Sequence, residues 1–280
     1  MGRVDGKVAF ITGAARGQGR SHAVRLAEEG ADIVGLDFCE DLACIPYALA
    51  TSDDLEETAR LVEALGRRAI LRKGDVRLSA DIDSVVEEGL SVFGHIDVVV
   101  ANAGIGSFTP SWEITEDEWA TVLDVNLTGA WRTAKAVAPS MIDAGRGGSI
   151  MFTASGAALR ANGNLAHYAA SKTGLMGLAR EMALELAPYS IRVNTVHPTA
   201  VNTPMMDNEH IGQLFSPDKP LASAEERRAA TQDVLRPSNI LPVGWIEARD
   251  VSNAVLFLAS DESRMITGTP FRVDAGYGAR

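Results

Sequence analysis

Short apolar runs rich in β-branched residues alternate along this chain with amphipathic stretches of helical length. The runs predict seven strands, at Lys7–Thr12, Asp32–Asp37, Ala69–Gly74, Ile96–Ala101, Ser149–Ala154, Arg192–His197 and Phe271–Asp274. Between them, helices are predicted at Gly17–Glu29, 52–66, 79–93, 115–142 and 166–187, the fourth starting with a capping box formed by Thr115 and Glu118. Such alternation builds βαβ units, so we expect an α/β fold with a doubly wound parallel sheet flanked by helices on both faces.

No interdomain linker is visible, so residues 1–280 are predicted to form a single domain. Two stretches are too long for a minimal alternation: an insertion at 38–51, and a proline-containing segment at 199–246. Both leave from the carboxyl ends of predicted strands, where open α/β sheets bind ligands. Loops of this length are usually functional or disordered, and for the first stretch a purely decorative role is almost as good an explanation.

The 280 residues carry a net charge of −11, which argues against nucleic acid or an anionic membrane as a partner. The two cysteines, Cys39 and Cys44, provide neither a disulfide framework nor a set of metal ligands, so no metal is expected. There is no signal peptide and no apolar run of membrane length, and we therefore expect a cytoplasmic protein.

A glycine-rich turn follows the first predicted strand and opens the first helix. Gly13, Gly17 and Gly19 are spaced G-x-x-x-G-x-G, with Arg16 and Gln18 between them. Glycines permit a tight turn and let backbone N–H groups approach a pyrophosphate at the helix N-terminus. The position of the turn between a strand and a helix favours a dinucleotide site over a simple tight connection.

Asp37 ends the second predicted strand, where a carboxylate accepts hydrogen bonds from both hydroxyls of an adenosine ribose. The same carboxylate repels a 2′-phosphate and so favours NAD over NADP. Arg16 favours NADP instead, because a guanidinium in the turn attracts that phosphate. We give more weight to Asp37, since a desolvated like-charge contact excludes a ligand more strongly than an exposed arginine attracts one.

Tyr168 and Lys172 are one helical turn apart, and Ser155 lies thirteen residues before the tyrosine. A phenol is a poor acid or base at neutral pH, but a neighbouring cation lowers its pKa toward the working range. Ser155 can donate a hydrogen bond to the same substrate oxygen. Together with the glycine turn, the three residues predict hydride chemistry at a carbon that bears oxygen.

These residues resemble the short-chain dehydrogenase/reductase family over nearly the whole chain. The matching positions are the Thr12–Gly19 turn, Asp75-Val76, Asn102-Ala103-Gly104, Asn126, Ser155, Tyr168, Lys172, Asn194 and Thr203-Pro204-Met205. The resemblance implies a single Rossmann domain, NAD as the cofactor, and Asn126, Ser155, Tyr168 and Lys172 as the catalytic residues.

The same resemblance implies roles around the cofactor. Asp75 is expected to bond the adenine amino group, with Val76 beside it, and Asn102, Ala103 and Gly104 are expected near the ribose. Lys172 would hold the nicotinamide ribose, and Val201 and Thr203 the carboxamide. Asn126 would position a water that relays protons to Lys172. For Asn102 and Asn126 a role in bracing strand ends stays open, and Asn194 is expected to serve only that purpose.

One departure is His197-Pro198-Thr199, where the family usually has Pro-Gly. A side chain at Thr199 either narrows the nicotinamide pocket or makes an extra bond to the cofactor. Together with the insertion at 38–51 and the long segment at 199–246, this triplet resembles the mycofactocin-associated subfamily, to which relatives of carveol dehydrogenase belong. That implies a tightly held NAD reoxidised in place by the mycofactocin redox carrier.

We therefore expect an NAD-dependent alcohol dehydrogenase acting on a hydrophobic secondary alcohol, such as a carveol-like terpenoid, and its ketone. The apolar side chains of the long segment, namely Met205, Met206, Leu214, Phe215 and Trp245, suit such a substrate, although core packing explains some of them. Two alternatives are an NAD-binding redox sensor or scaffold, and an epimerase or dehydratase that uses the cofactor transiently. The family resemblance and the two long helices predict a homotetramer.

Overall fold

The computed structural model describes residues 2–217 and 223–279. Within these ranges the strands are β1 Val8–Thr12, β2 Asp32–Asp37, β3 Ala69–Lys73, β4 Val98–Ala101, β5 Gly148–Thr153, β6 Ile191–Pro198, β7 Val201–Asn202, β8 Ile246–Glu247 and β9 Pro270–Val273. Seven of them pair in parallel in the order β3-β2-β1-β4-β5-β6-β9. Two further short strands, β7 and β8, pair only with each other.

The strand order reverses between β1 and β4, so the crossovers before and after this point place helices on opposite faces of the sheet. The predicted doubly wound α/β fold is confirmed. The helices are α1 Gly17–Glu28, α2 Ser52–Glu63, α3 Ser79–Phe93, α4 Glu116–Leu123, α5 Gly129–Ala144, α6 Ala166–Leu186, α7 Glu209–Phe215, α8 Ala224–Leu235 and α9 Ala248–Ala259.

The sheet is apolar on both faces because helices cover both of them. On one face, side chains of α3, α5 and α6 such as Val86, Val137 and Leu175 pack with Phe10 and Phe152 of the sheet. On the other face, side chains of α1, α2 and α9 pack on the alternate strand residues, among them Leu26, Val62, Leu256, Ile11 and Met151. The two layers fix the carboxyl ends of the parallel strands at one edge.

The predicted helix at 115–142 is interrupted. The chain forms a π-helical turn at Asp124–Thr128, between α4 and α5. Thr115 caps α4 by accepting the Glu118 N–H over 3.1 Å. The predicted reciprocal half of the capping box is wrong, because the Glu118 carboxylate instead accepts hydrogen bonds from Ser107 and Thr109, at 2.5 and 2.9 Å.

The inserted segment at 38–51 contains no helix or strand, as predicted. The segment at 199–246 is more regular than its prolines suggest, because it contains β7, α7, α8 and a final turn that leads to β8. Pro220 of this segment lies outside the described residues. Within the described ranges, no helix is long and apolar enough to cross a membrane.

Candidate active site

The turn between β1 and α1 requires glycine, through positive φ angles at two positions and lack of room for a Cβ at two. Gly13 and Gly17 adopt positive φ angles of 68° and 55°. A Cβ on Gly13 would lie 2.9 Å from the Ala103 Cα, and one on Gly19 would lie 1.8 Å from the Gly13 carbonyl oxygen. Arg16, at the N-cap of α1, makes no side-chain cap. The first backbone N–H groups of α1 are therefore left for an anionic ligand.

Asp37 stands at the carboxyl end of β2, in the wall of the cleft next to this turn. Its carboxylate accepts the N–H of Ala15 over 2.9 Å and that of Cys39 over 3.3 Å. Burial raises the pKa of Asp37 above its ordinary value, although these hydrogen bonds and the charge of Arg16 act in the opposite direction. The carboxylate is thus fixed and partly desolvated before any ligand binds.

The inserted segment covers the same cleft. Arg16 donates from Nη2 to the carbonyl oxygen of Ala48 over 2.6 Å, so its side chain reaches across to the insertion. Leu42, Tyr47 and Leu49 line the cleft. The Tyr47 hydroxyl also accepts the N–H of Gly106 over 3.3 Å, which ties the segment to the loop after β4.

From the sequence, Leu42, Ile45, Pro46 and Tyr47 of the insertion are expected to cover the adenosine half of NAD, and two of these four lie elsewhere. Ile45 is buried in the core cluster that residues of α3 and α5 also form, and so anchors the insertion. Pro46 lines the neighbouring cavity instead. Leu49 takes the place expected for them in the cleft wall, and the sequence alone did not distinguish these three positions.

Five further predicted cofactor residues line the cleft at the ends of β3 and β4. They are Asp75, Val76, Asn102, Ala103 and Gly104. The Asp75 carboxylate is paired with Arg77 over 2.6 Å. The Asn102 amide donates to the carbonyl oxygens of Thr12 and Gly13, at 3.1 and 3.3 Å, so it braces the glycine turn.

A second, larger cavity of about 540 Å³ adjoins the cleft. The two share a boundary, which is formed by Gln18, Tyr47, Asn102, Gly104, Thr203 and Met205. The amide oxygen of Gln18 is buried there and has no hydrogen-bond partner among the described residues. Val201 lies in the wall of the larger cavity, next to Thr203. A ligand in the cleft can therefore reach into the larger cavity.

Ser155, Tyr168 and Lys172 meet at the wall of this larger cavity. Tyr168 and Lys172 share one face of α6, with the Lys172 Nζ 5.7 Å from the centre of the Tyr168 ring. Lys172 donates to the Thr153 carbonyl oxygen over 2.7 Å. Ser155 follows the end of β5, and its Oγ accepts the Ala157 N–H over 3.1 Å.

Burial dominates the protonation of this group. It raises the pKa of Tyr168, and the hydrogen bond with Ser155 only partly offsets that effect. Burial also lowers the pKa of Lys172 to about 8. Lys172 was expected to lower the pKa of the Tyr168 phenol. In the protein alone that pKa is raised instead, because the desolvation of the phenol is the larger effect.

Asn126 lies in the π-helical turn and is fully buried. Its side chain accepts the Ile105 N–H over 2.8 Å and donates to the Ile105 carbonyl oxygen and the Ser171 hydroxyl, at 2.9 and 3.1 Å. A Cβ on Gly104 would stand 3.2 Å from the Lys172 Nζ and 3.3 Å from the Asn126 Oδ1. Gly104 thus lies between the Asn126 amide and the Lys172 ammonium, where a side chain would crowd both groups.

Comparison with known proteins decides the family. The family model described as enoyl-(acyl carrier protein) reductase, which belongs to the short-chain dehydrogenases/reductases, matches residues 13–278. The chain belongs to the short-chain dehydrogenase/reductase family. It is 48% identical to (-)-trans-carveol dehydrogenase of Rhodococcus erythropolis, over 99% of each chain.

Two solved structures of this family also match over their whole length. The carveol dehydrogenase of Mycobacterium avium, solved in complex with NAD, is 47% identical and superposes with a TM-score of 0.96, covering 100% of both chains. A short-chain dehydrogenase of Mycobacterium paratuberculosis, solved with NAD bound, is 43% identical with a TM-score of 0.90, again covering 100% of both chains. The resemblance inferred from the motifs is confirmed.

In this family member the larger cavity has a mostly apolar wall. Four of the five apolar residues predicted to face a substrate line it, namely Met205, Met206, Leu214 and Phe215. Trp245 is buried with 6% of its surface exposed but lies outside the lining, so core packing explains it. The cavity is also lined by Phe108, whose ring meets that of Phe215 edge to face at 6.3 Å between centroids.

Sequence reasoning missed Tyr277, which lines the larger cavity. Its hydroxyl donates to the Asn162 Oδ1 over 2.6 Å, and Arg160 lies 4.8 Å from the centre of its ring. A side chain near the end of the chain reaches the cavity only because β9 is added at the edge of the sheet. No local sequence pattern indicated this contact.

Asn194 and Thr199 each hold neighbouring segments together through side-chain hydrogen bonds. The Asn194 amide donates to the Ile266 carbonyl oxygen over 2.9 Å and accepts the Thr269 N–H over 3.2 Å, which is the structural role expected for it. The Thr199 hydroxyl donates to the Asn239 Oδ1 over 3.0 Å. Thr199 therefore ties β6 to the end of the long segment, a third possibility beside the two considered from the sequence.

Proposed function

We propose that this protein is an NAD-dependent dehydrogenase that interconverts a hydrophobic secondary alcohol and its ketone. One observation carries the proposal: Ser155, Tyr168 and Lys172 line a mostly apolar cavity of about 540 Å³ that shares a boundary with the glycine-turn cleft. A cavity of this size suits a small cyclic or branched molecule. The relatives named as carveol dehydrogenases act on an alcohol of that kind, and two of the superposed neighbours hold NAD.

The cleft fits NAD better than NADP. The close approach of Gly13 and Gly19 leaves a cradle that a Cβ would fill, which suits a pyrophosphate at the N-terminus of α1. The Asp37 carboxylate stands where ribose hydroxyls would donate to it, and it would repel a 2′-phosphate. Arg16, the residue that favours a phosphate, is directed to the Ala48 carbonyl oxygen.

The other predicted residues complete the cofactor site. Asp75 and Val76 would hold the adenine, Asn102, Ala103 and Gly104 would flank the ribose, and Val201 and Thr203 would face the carboxamide. Their positions along the cleft and at its boundary with the larger cavity support these assignments. The unpartnered oxygen of Gln18 at that boundary suits a hydrogen-bond donor on the ligand.

The chemistry divides between cofactor and protein. When bound, NAD supplies the hydride acceptor for the alcohol carbon. Tyr168 takes the proton of the alcohol hydroxyl, and Ser155 donates a hydrogen bond to the same oxygen, which orients the substrate and limits it to one position. In the reverse direction, Tyr168 returns the proton to the carbonyl oxygen.

Lys172 and Asn126 assist the proton transfer. With a pKa of about 8, Lys172 is largely protonated at neutral pH, and its charge stabilises a phenolate at Tyr168. It would also hold the nicotinamide ribose. Burial moves the two pKa values apart, because it raises that of Tyr168 and lowers that of Lys172 from 10.5 to about 8. Formation of the phenolate therefore depends on the charge of Lys172 beside it. Asn126 would place a water that carries the proton onward.

The inserted segment supports a retained cofactor. It is tied to the glycine turn at Ala48 and to the loop after β4 at Tyr47, so it spans the cleft from both sides. A cover of this kind slows the release of the cofactor. We propose that NAD stays bound between turnovers and is reoxidised in place by mycofactocin, as the sequence resemblance implies.

We also propose that the protein is a homotetramer. Trp119 on α4, Trp131 on α5 and Leu184 on α6 expose 42%, 41% and 74% of their surface. Large apolar side chains exposed on neighbouring helices suit a self-complementary interface. Light scattering at micromolar concentration should give four times the mass of one chain, and the mass of a single chain would contradict the proposal.

Purified protein tests the proposed function in two steps. First, the protein is denatured after dialysis, and mass spectrometry identifies the released cofactor, which should be NAD. Second, the native protein is offered a panel of secondary alcohols with an artificial electron acceptor, and cyclic terpenoid alcohols should be oxidised to ketones. Release of NADP, or no oxidation of any alcohol in the panel, would contradict the proposal.

A further inference from the structure

His197 is fully buried beside Ser155 and carries two hydrogen bonds. Its Nδ1 lies 3.0 Å from the Ser155 carbonyl oxygen, and its Nε2 lies 2.7 Å from the Thr195 Oγ1. The residue belongs to the triplet in which this chain departs from the usual family pattern. None of the cofactor or proton-transfer roles described above uses it.

The chemistry of the two partners fixes the form of the imidazole. A carbonyl oxygen only accepts hydrogen bonds, so the hydrogen of the Ser155 contact is on Nδ1. In the neutral ring Nε2 then accepts the hydroxyl hydrogen of Thr195. Burial lowers the pKa of His197, although the bond to Ser155 acts against that effect, so the ring is neutral at ordinary pH.

The contact joins the chain just after β5 to a side chain of β6. The last backbone hydrogen bond between the chain after β5 and β6 runs from the Ala154 N–H to the Val196 carbonyl oxygen over 2.8 Å. Ser155 comes next, and its carbonyl oxygen accepts the Ala158 N–H over 3.1 Å and also the hydrogen of the His197 imidazole. The side chain thus adds a link from β6 to the residue whose hydroxyl faces Tyr168.

We propose that His197 is a positioning residue for Ser155. By holding the Ser155 carbonyl, it fixes the peptide from which the serine hydroxyl projects toward Tyr168 and the cavity. A displacement of about 1 Å in a group that orients substrate costs up to about a hundredfold in rate. This inference rests on the proposed dehydrogenase function, in which Ser155 orients the alcohol oxygen.

Two substitutions separate positioning from packing. In His197→Asn, the side-chain amide nitrogen occupies the place of Nδ1 and can still donate to Ser155. In His197→Gln, the amide nitrogen occupies the place of Nε2 and can only reach Thr195. The matched control is His22→Asn, because His22 is equally buried and bonds the Ser252 hydroxyl over 2.8 Å, on the far side of α1.

With the alcohol that the parent protein oxidises best, His197→Gln should lower kcat about tenfold or more, while KM and NAD retention stay near the parent values. His197→Asn should keep kcat within about threefold of the parent. The control should lose thermal stability but not kcat. Equal kcat in the Asn and Gln variants, or losses that follow melting temperature alone, would overturn the inference.

A measurement on the unmodified protein does not depend on turnover. NMR of isotope-labelled histidine should show a neutral imidazole with its hydrogen on Nδ1 whose signal is missing from His197→Gln and present in His22→Asn. A hydrogen on Nε2 instead would overturn the inference even if the variants did not fold. If the parent protein oxidised no alcohol, the proposed function would be contradicted. The NMR result would still show whether His197 donates to the Ser155 carbonyl oxygen.

Discussion

The guanidinium of Arg16 donates a hydrogen bond to the Ala48 carbonyl oxygen over 2.6 Å. The bond joins the turn that would hold a pyrophosphate to the segment inserted after β2. It also occupies the guanidinium that the sequence suggested for a 2′-phosphate. The same contact therefore bears on which dinucleotide binds and on how quickly it leaves.

Removing the Arg16 charge should loosen the cover. Arg16→Met keeps most of the stem but cannot donate to Ala48, and we expect NAD release about tenfold faster, since a charge-assisted hydrogen bond contributes about 1.5–3 kcal/mol. The measurement is the fraction of NAD retained during dialysis. Arg60→Met is the control, because Arg60 is an exposed arginine on α2 that pairs with Glu57.

Replacing residues 39–50 by a short glycine-serine turn should have a larger effect and make NAD freely exchangeable. The fold should survive, since the segment forms no strand or helix, although the loss of Ile45 from the core will lower stability. Native protein that loses NAD as fast as the shortened form would show that the segment is surface decoration, and would remove the main support for in-place reoxidation.

The Asp37 carboxylate should set the choice of dinucleotide. Asp37→Ala removes the acceptor for the ribose hydroxyls and the repulsion of a 2′-phosphate, so NAD affinity should fall and NADP affinity should rise about tenfold or more. Calorimetric titration of both dinucleotides checks this. Equal affinities for the two in the unmodified protein would contradict the assignment.

Tyr168→Phe should lower alcohol oxidation by about 10²- to 10⁴-fold, the usual contribution of a positioned acid–base group. NAD retention and melting temperature should stay close to the parent values. Tyr189→Phe is the control, because Tyr189 is an exposed tyrosine outside both cavities. Retention of more than about a tenth of the parent rate would count against the role of Tyr168.

The raised pKa of Tyr168 also predicts the pH dependence of the reaction. Oxidation needs the deprotonated phenol, so kcat/KM for the alcohol should rise as pH increases through the neutral and alkaline range. Reduction of the ketone needs the protonated phenol and should show the opposite trend. A flat profile for both directions would mean that another group transfers the proton.

Acid stability should depend on His22. Burial lowers its pKa from 6.5 to about 3, so between these values the unfolded chain binds a proton that the folded protein does not. The contribution of neutral His22 is complete above pH 6.5 and is lost as pH falls toward 3, by about 1.4 kcal/mol per pH unit. Chemical unfolding of His22→Asn at several pH values should show a shallower loss across this window.

Much of the fold follows from local pattern. The strands of the parallel sheet are buried on both faces, and their apolar β-branched runs are therefore easy to recognise. The sequence did not predict the helices α7 and α8. The prolines around them suggested a loop, and their polar faces obscure the helical spacing of the apolar residues. The π-helical turn at Asp124–Thr128 was also missed, since one additional residue per turn leaves no compositional mark.

In the candidate site, too, local sequence features predict some residues, whereas contacts between distant residues are not predicted. Residues in motifs, such as Gly13, Asp37 and Tyr168, are at the predicted places because a glycine turn, a strand end and a helix face are local features. Contacts such as that between Tyr277 and Asn162 join residues 115 positions apart, and only the completed sheet brings them together. The bond from His197 to Ser155 is of this second kind, since it crosses between two strands.

The central claim is that hydride passes from an alcohol carbon to NAD in this protein. The most direct measurement offers the purified protein a cyclic secondary alcohol that carries deuterium on its hydroxyl-bearing carbon, and then determines the masses of the released cofactor and the organic product. We predict reduced cofactor that contains the deuterium, together with an equal amount of the ketone. Deuterium returned to an isomerised or dehydrated product, or unlabelled cofactor beside unchanged alcohol, would contradict the account.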